Sequence, residues 1–150
     1  KFAGDSKTFD TVAGQYRRIL EVSRQPSAAN DYALIYAFAK IQDPTSVVRE
    51  SEFATAAKTG AYGETVKAAV TKVVNGETLT AKQRSDFISA ARNAYAAQER
   101  QWLNTVAAPY HQQAKDYGLN WKNIWRDYRV KGGSESAEAK PKKTVKFGDL

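Results

Sequence analysis

The stretch Asn30-Asp31-Tyr32-Ala33-Leu34-Ile35-Tyr36-Ala37-Phe38-Ala39-Lys40-Ile41 decides the fold. From Tyr32 onward it is apolar almost all round, the pattern of a helix surrounded by other elements rather than one lying on a surface. Ser27 stands three residues before Asn30, where its hydroxyl can cap the first turn. Asp43-Pro44 ends the helix at Gln42, because a capping side chain followed by proline is a helix start. A buried central helix requires other helices around it, and the flanking sequence supplies them.

Upstream, Phe9, Val12, Tyr16, Ile19 and Leu20 fall at offsets 0, 3, 7, 10 and 11, one stripe of a helix from about Thr8 to Ser23. Downstream, a helix is expected from Pro44 to about Lys58 with Val47, Val48 and Ser51 turned inward. Another runs from Glu64 to Asn75, burying Val66, Ala69, Val70 and Val73, with Gly76 as its C-terminal cap. Thr80-Ala-Lys-Gln83 has the form of a capping box. It opens the longest helical pattern, through Phe87, Ile88, Ala91, Tyr95, Trp102, Val106 and Tyr110, with Pro109 expected to kink it or end it at Ala108. From Thr80 to Ala108 that helix would be about 43 Å long at 1.5 Å per residue, against a radius of gyration of roughly 15 Å for a globule of this size. One end is therefore expected to project and need a neighbour. No run alternates with period two, and there is no internal repeat, so the fold class is all-α, a multi-helix bundle with one long helix.

The last part divides in two. Gly118 stops the long segment, and Trp121, Ile124, Trp125 and Tyr128 lie at offsets 0, 3, 4 and 7, with Lys122, Arg126 and Arg129 between them. These seven residues read as a short aromatic, basic, amphipathic helix over 120–130 and are the candidate partner-binding residues. Such a face suits a partner helix, a membrane interface, a nucleic-acid strand or the chain's own core. Residues 131–150 have the composition of a linker, disordered or extended, with five lysines against Glu135, Glu138 and Asp149. The expected organisation is one helical domain over 1–130, its helical core at about 8–117, followed by a flexible basic tail over 131–150.

Composition narrows the chemistry. With 150 residues the chain can bury a single core, and no apolar run approaches the ~20 residues that span a bilayer. Cysteine is absent and His111 is the one histidine, which excludes thiolate chemistry and two-histidine zinc sites. No Walker loop or Gly-x-Gly-x-x-Gly fingerprint is present, so neither cofactor nor metal is expected. Lys plus Arg exceed Asp plus Glu by 23 to 16, a net charge of +7 that favours polyanions as neighbours. Methionine is absent even at position 1, which points to a processed chain or a piece of a longer one.

Glu50-Ser51-Glu52-Phe53 followed by Gly60-Ala61-Tyr62-Gly63 resembles the signature of lytic transglycosylases and goose-type lysozymes. The resemblance would make Glu50 a protonated general acid toward a glycosidic oxygen. The sequence departs from it at Glu64-Thr65-Val66, where that family carries Leu-Met-Gln. The favoured expectation is that the chain is not an enzyme.

A broader resemblance runs through Asn30-Asp31-Tyr32 to Lys40, Asp43-Pro44, Ser46-Val47-Val48-Arg49-Glu50 and Glu52-Phe53-Ala54-Thr55-Ala56. It continues more loosely through Gly76, Leu79 and Arg84 to Asp86-Phe87-Ile88. This string is similar to a module of tailed-bacteriophage virion proteins, among them internal, DNA-ejection and tail proteins, and Phe147-Gly148-Asp149-Leu150 looks like the end of such chains. The resemblance implies a fragment of a bacteriophage virion structural protein, a helical assembly module located in the virion. It implies docking to portal, tail or core components and to copies of itself as a homo-oligomer, with any membrane contact confined to ejection. Three classes thus compete: the virion module, the peptidoglycan-cleaving enzyme and a non-specific DNA-binding module. The first is the expectation.

Overall fold

The computed structural model describes residues 1–133; the expected tail beyond Gly133, with the closing Phe147–Leu150, lies outside the described residues. Among those residues there is no strand, and the architecture is all-helical. The helices are α1 (Phe2–Asp5), α2 (Lys7–Val22), α3 (Ala28–Gln42), α4 (Glu50–Lys58), α5 (Glu64–Val74), α6 (Ala81–Trp102) and α7 (Ala108–Asp116).

As its all-apolar sequence requires, α3 sits in the middle and packs against α2, α4, α5 and α6. Leu34, Ile35, Ala37 and Ile41 are buried on it, facing Val12, Tyr16 and Ile19 of α2, Val70 of α5 and Ala91 of α6 within one core. Three of the local start and stop signals act as read. Ser27 Oγ accepts from the Asn30 amide at 3.0 Å, Thr80 and Gln83 exchange the two bonds of a capping box, and Gly76 closes α5 at φ +86°.

The long helix is longer than expected. A π-helical turn, Leu103–Ala107, joins α6 to α7, giving 36 continuous residues to Asp116. Pro109 neither ends nor interrupts it at Ala108. Proline lacks an N–H and its ring collides with the carbonyl four residues back. Here the widened turn precedes it, with the Ala108 amide donating to Leu103 O, five residues back, so the chain absorbs Pro109 at the first turn of α7. At ~1.5 Å per residue the unit is about 54 Å long. Its far half is covered by Phe2 and the segment 121–130, which pack on Trp102 and Tyr110.

The expected helix from Pro44 forms only from Glu50. Residues 43–46 form a turn closed by the Ser46 amide on the Asp43 carbonyl at 3.2 Å, and 46–49 run on as an extended strap in which Val47 is 91% exposed; Ser51 is exposed as well, so neither points inward. The cause is a ladder from α3. Tyr32 Oη donates to the Glu50 carbonyl at 2.5 Å, Tyr36 Oη to the Val48 carbonyl at 3.1 Å, and the Lys40 ammonium to the Ser46 carbonyl. Donors four residues apart on a helix recur every ~6 Å, and carbonyls two residues apart on an extended chain every ~6.6 Å. The two periods match, so one stripe of α3 holds the strap straight and takes carbonyls that a helix would have used.

One polar group lies deep in this core. The Asp31 side chain, 2% exposed, accepts from Arg84 Nε at 2.8 Å and Nη2 at 2.9 Å, and from the Leu79 amide at 2.8 Å. The pair ties the first turn of α3 to the loop before α6 and its first turn, across 53 residues of sequence.

Candidate functional site

The aromatic segment after Gly118 does not form the expected helix over 120–130. Asn120 does cap, accepting from the Lys122 amide at 3.1 Å, but only a single 3-10 turn, Trp121–Asn123, follows. Beyond it the backbone groups are claimed by side chains. Arg17 donates to the Tyr128 carbonyl at 3.0 Å, the Val130 amide donates to Tyr95 Oη at 2.7 Å, and the Arg129 amide donates to Asp127. Satisfied backbone has no need of a helical ladder, and Trp, Ile and Tyr are indifferent helix formers.

The apolar members of this segment turn inward on a partner the periodicity did not suggest, the N-terminal Phe2. Its ring, 6% exposed, has Tyr110 at 5.3 Å, Trp121 at 5.8 Å, Trp125 at 5.9 Å, Trp102 at 6.2 Å and Tyr128 at 6.4 Å between centroids. Tyr128 is buried, Trp121, Ile124 and Trp125 are partly buried against the core, and His111 stands edge-on to Trp121 at 5.1 Å. A signal for Phe2 was present: Phe2, Phe9 and Tyr16 are seven residues apart, so the stripe of α2 extends back to the chain's start. A single buried residue, Ser6, separates α1 from α2, and its hydroxyl accepts from the Trp102 indole at 3.0 Å.

The basic members face the other way. Lys122 and Arg126 are exposed. The Arg126 guanidinium lies 5.2 Å from the Tyr128 ring centre, and that of Arg129 lies 5.9 Å from the Trp125 ring while forking onto Asp127 at 2.8 Å. Asp127 is held below the usual carboxylate range: burial pushes it up, and the Arg129 hydrogen bonds outweigh that.

Glu50 stands in a different setting from the one its resemblance implied. Both its oxygens accept from Arg18, at 2.7 and 2.8 Å, and the two side chains are each 37% exposed. The Glu50 hydrogen bond raises the Arg18 guanidinium further above its ordinary value. Tyr32 and Tyr36, pushed up by partial burial, stand beside this pair, the first bonded to Glu50's own carbonyl. The void enclosed by Tyr36, Lys40, Val48, Phe53 and Tyr62 measures about 10 Å³, room for one water at most. A larger cleft, about 220 Å³, opens where α1 and α2 meet the π-helical turn, lined by Asp5, Thr8, Gln98, Gln101 and Thr105 over Phe9 and Trp102.

Among the described residues no cluster of three or more His, Cys, Asp or Glu could hold a metal, and no helix is long and apolar enough to cross a membrane. No family model, curated protein or solved structure matches the chain.

Proposed function

We propose that this chain is a helical assembly module of a tailed-phage virion protein of the internal, DNA-ejection or tail kind. The observation that carries the reading is the work done by the residues of the resembling string. Asp31 clamps Arg84; Tyr32, Tyr36 and Lys40 hold the strap; Glu50 pairs with Arg18; and Phe53 is fully buried. Each specifies geometry, and none stands where a substrate atom would have to arrive. A string that spells out a fold in this way belongs to a building unit used for its shape. On this reading the module sits in the particle, docks to portal, tail or core components and associates with its own copies.

Mass spectrometry of gradient-purified particles tests it. The expected result is peptides of this chain co-sedimenting with the particle in constant ratio to the capsid protein. Recovery from lysate alone overturns the proposal. Release of anhydromuropeptides from peptidoglycan, abolished by Glu50→Gln, would replace it with the enzyme reading.

A further inference from the structure

Arg17, Arg126 and Arg129 converge on Tyr128 and Tyr95, and Arg92 reaches the neighbouring Tyr16. Arg17 of α2 is bonded to the Tyr128 carbonyl, and Arg92 of α6 donates to Tyr16 Oη, whose ring stacks on Tyr95 at 4.7 Å. Tyr95 in turn accepts from Val130, so Arg129 and Lys131 flank the same point, and Arg126 lies over the neighbouring Tyr128 ring. Arg17 and Arg129 are both close enough to act on the Tyr95 hydroxyl electrostatically. Asp127 is forked by Arg129, and Glu99, 8% exposed, acts electrostatically on both Tyr95 and Arg129, so these two acids offset part of the charge. Arg17 and Arg92 are bonded to neutral oxygens, which fix their direction.

We propose that the surface formed by Arg17, Arg92, Arg126, Arg129 and Lys131 is a binding face for the phosphate backbone of double-stranded nucleic acid. Charge complementarity identifies the ligand as a polyanion, and the guanidiniums are held in place by α2, α6 and the 121–130 segment before it arrives. The aromatic rings decide between polyanions. Tyr128 is buried and Trp121 and Trp125 are partly buried on Phe2 and Trp102, so their rings are engaged in the fold and leave little free face for stacking on unpaired bases or entering a membrane. What remains is contact with phosphates along a duplex, independent of base sequence.

Fluorescence anisotropy with a labelled random-sequence DNA duplex tests the face, using the full chain. Binding is expected to fall roughly 10²-fold between about 50 and 200 mM salt, as four or so phosphate contacts imply. Arg126→Gln with Lys131→Gln removes two exposed charges that make no backbone bond in the fold. It should weaken binding about tenfold and lower the salt slope by about two units. Lys58→Gln with Lys115→Gln removes the same charge from exposed sites elsewhere and should change affinity less than about threefold. Circular dichroism confirms that each variant is folded. Equal weakening by both pairs, no duplex binding at low salt, or binding to phosphatidylglycerol vesicles in place of duplex each overturn the proposal. The outcome is separate from the particle assay, since a virion component that ignores duplex remains a virion component.

Discussion

Tyr36 donates its hydroxyl proton to the carbonyl of Val48, the middle rung of three that pin residues 46–50 against α3. The strap exists because Tyr32, Tyr36 and Lys40 repeat every four residues along a helix, and every second carbonyl of an extended chain falls opposite them. Exposure along the strap alternates accordingly, with Val47 and Arg49 out and Ser46 and Val48 partly buried.

Removing a rung should loosen the strap and leave the bundle folded. Tyr36→Phe loses one neutral hydrogen bond, about 1 kcal/mol. Tyr32→Phe also removes the acceptor of the Ala54 amide and should cost somewhat more. In the double variant trypsin should cut after Arg49 several-fold faster than in the parent, while the far-ultraviolet spectrum holds. An unchanged cleavage rate would show that the strap is retained by other contacts.

The Asp31–Arg84 pair makes a sharper energetic prediction. Arg84→Met leaves a buried carboxylate whose remaining hydrogen bond among the described residues is to the Leu79 amide and should cost about 3–5 kcal/mol in urea denaturation. Adding Asp31→Leu removes the stranded charge, so the double variant should recover part of the loss, the residue being the orphaned Leu79 amide. Strict additivity of the two single costs would mean that the pair is not coupled.

What could be read from the chain was what is local. Ser27, Thr80 and Gly76 act within a few residues of themselves, and α2, α3, α5 and α6 followed from periodicity because each buries a stripe. Asp31 and Arg84 could not be paired by spacing, since 53 residues separate them and either would pass for a surface charge. The segment from Trp121 to Tyr128 misled for a specific reason. Offsets of 0, 3, 4 and 7 also arise when an irregular chain wraps rings around a plug, and the plug, Phe2, lies at the other end of the sequence. For the same reason the basic face was half visible: Arg126 and Arg129 stood out, while Arg17 and Arg92 join them only through the tertiary contacts at Tyr128 and Tyr16.

Phe2 closes the aromatic end, so its truncation should be felt at three indoles. Phe2→Ala is expected to cost about 3 kcal/mol, the low end for a buried phenylalanine because α1 is a single turn. Water admitted beside Trp102, Trp121 and Trp125 should shift tryptophan emission to the red in the folded variant. Emission that stays put, with only stability reduced, would mean that the 121–130 segment collapses into the vacated space.

Alkaline pH tests the other side of that segment. Burial pushes the Tyr95 hydroxyl up to about 12, overcoming the Val130 hydrogen bond and the arginines that favour its ionised form. In the unfolded chain it ionises near 10. Between these values the native state holds a proton that the unfolded state has lost, so stability is intact below pH 10 and declines as pH rises toward 12. Tyr110, raised to about 12 by its bond to Asp5, makes that bond at the surface and should add little to that decline. Tyr95→Phe lowers stability at neutral pH by orphaning the Val130 amide, yet it should flatten the dependence above pH 10. Urea midpoints at pH 9, 10 and 11 for both proteins measure this, and parallel curves would locate the alkaline sensitivity elsewhere.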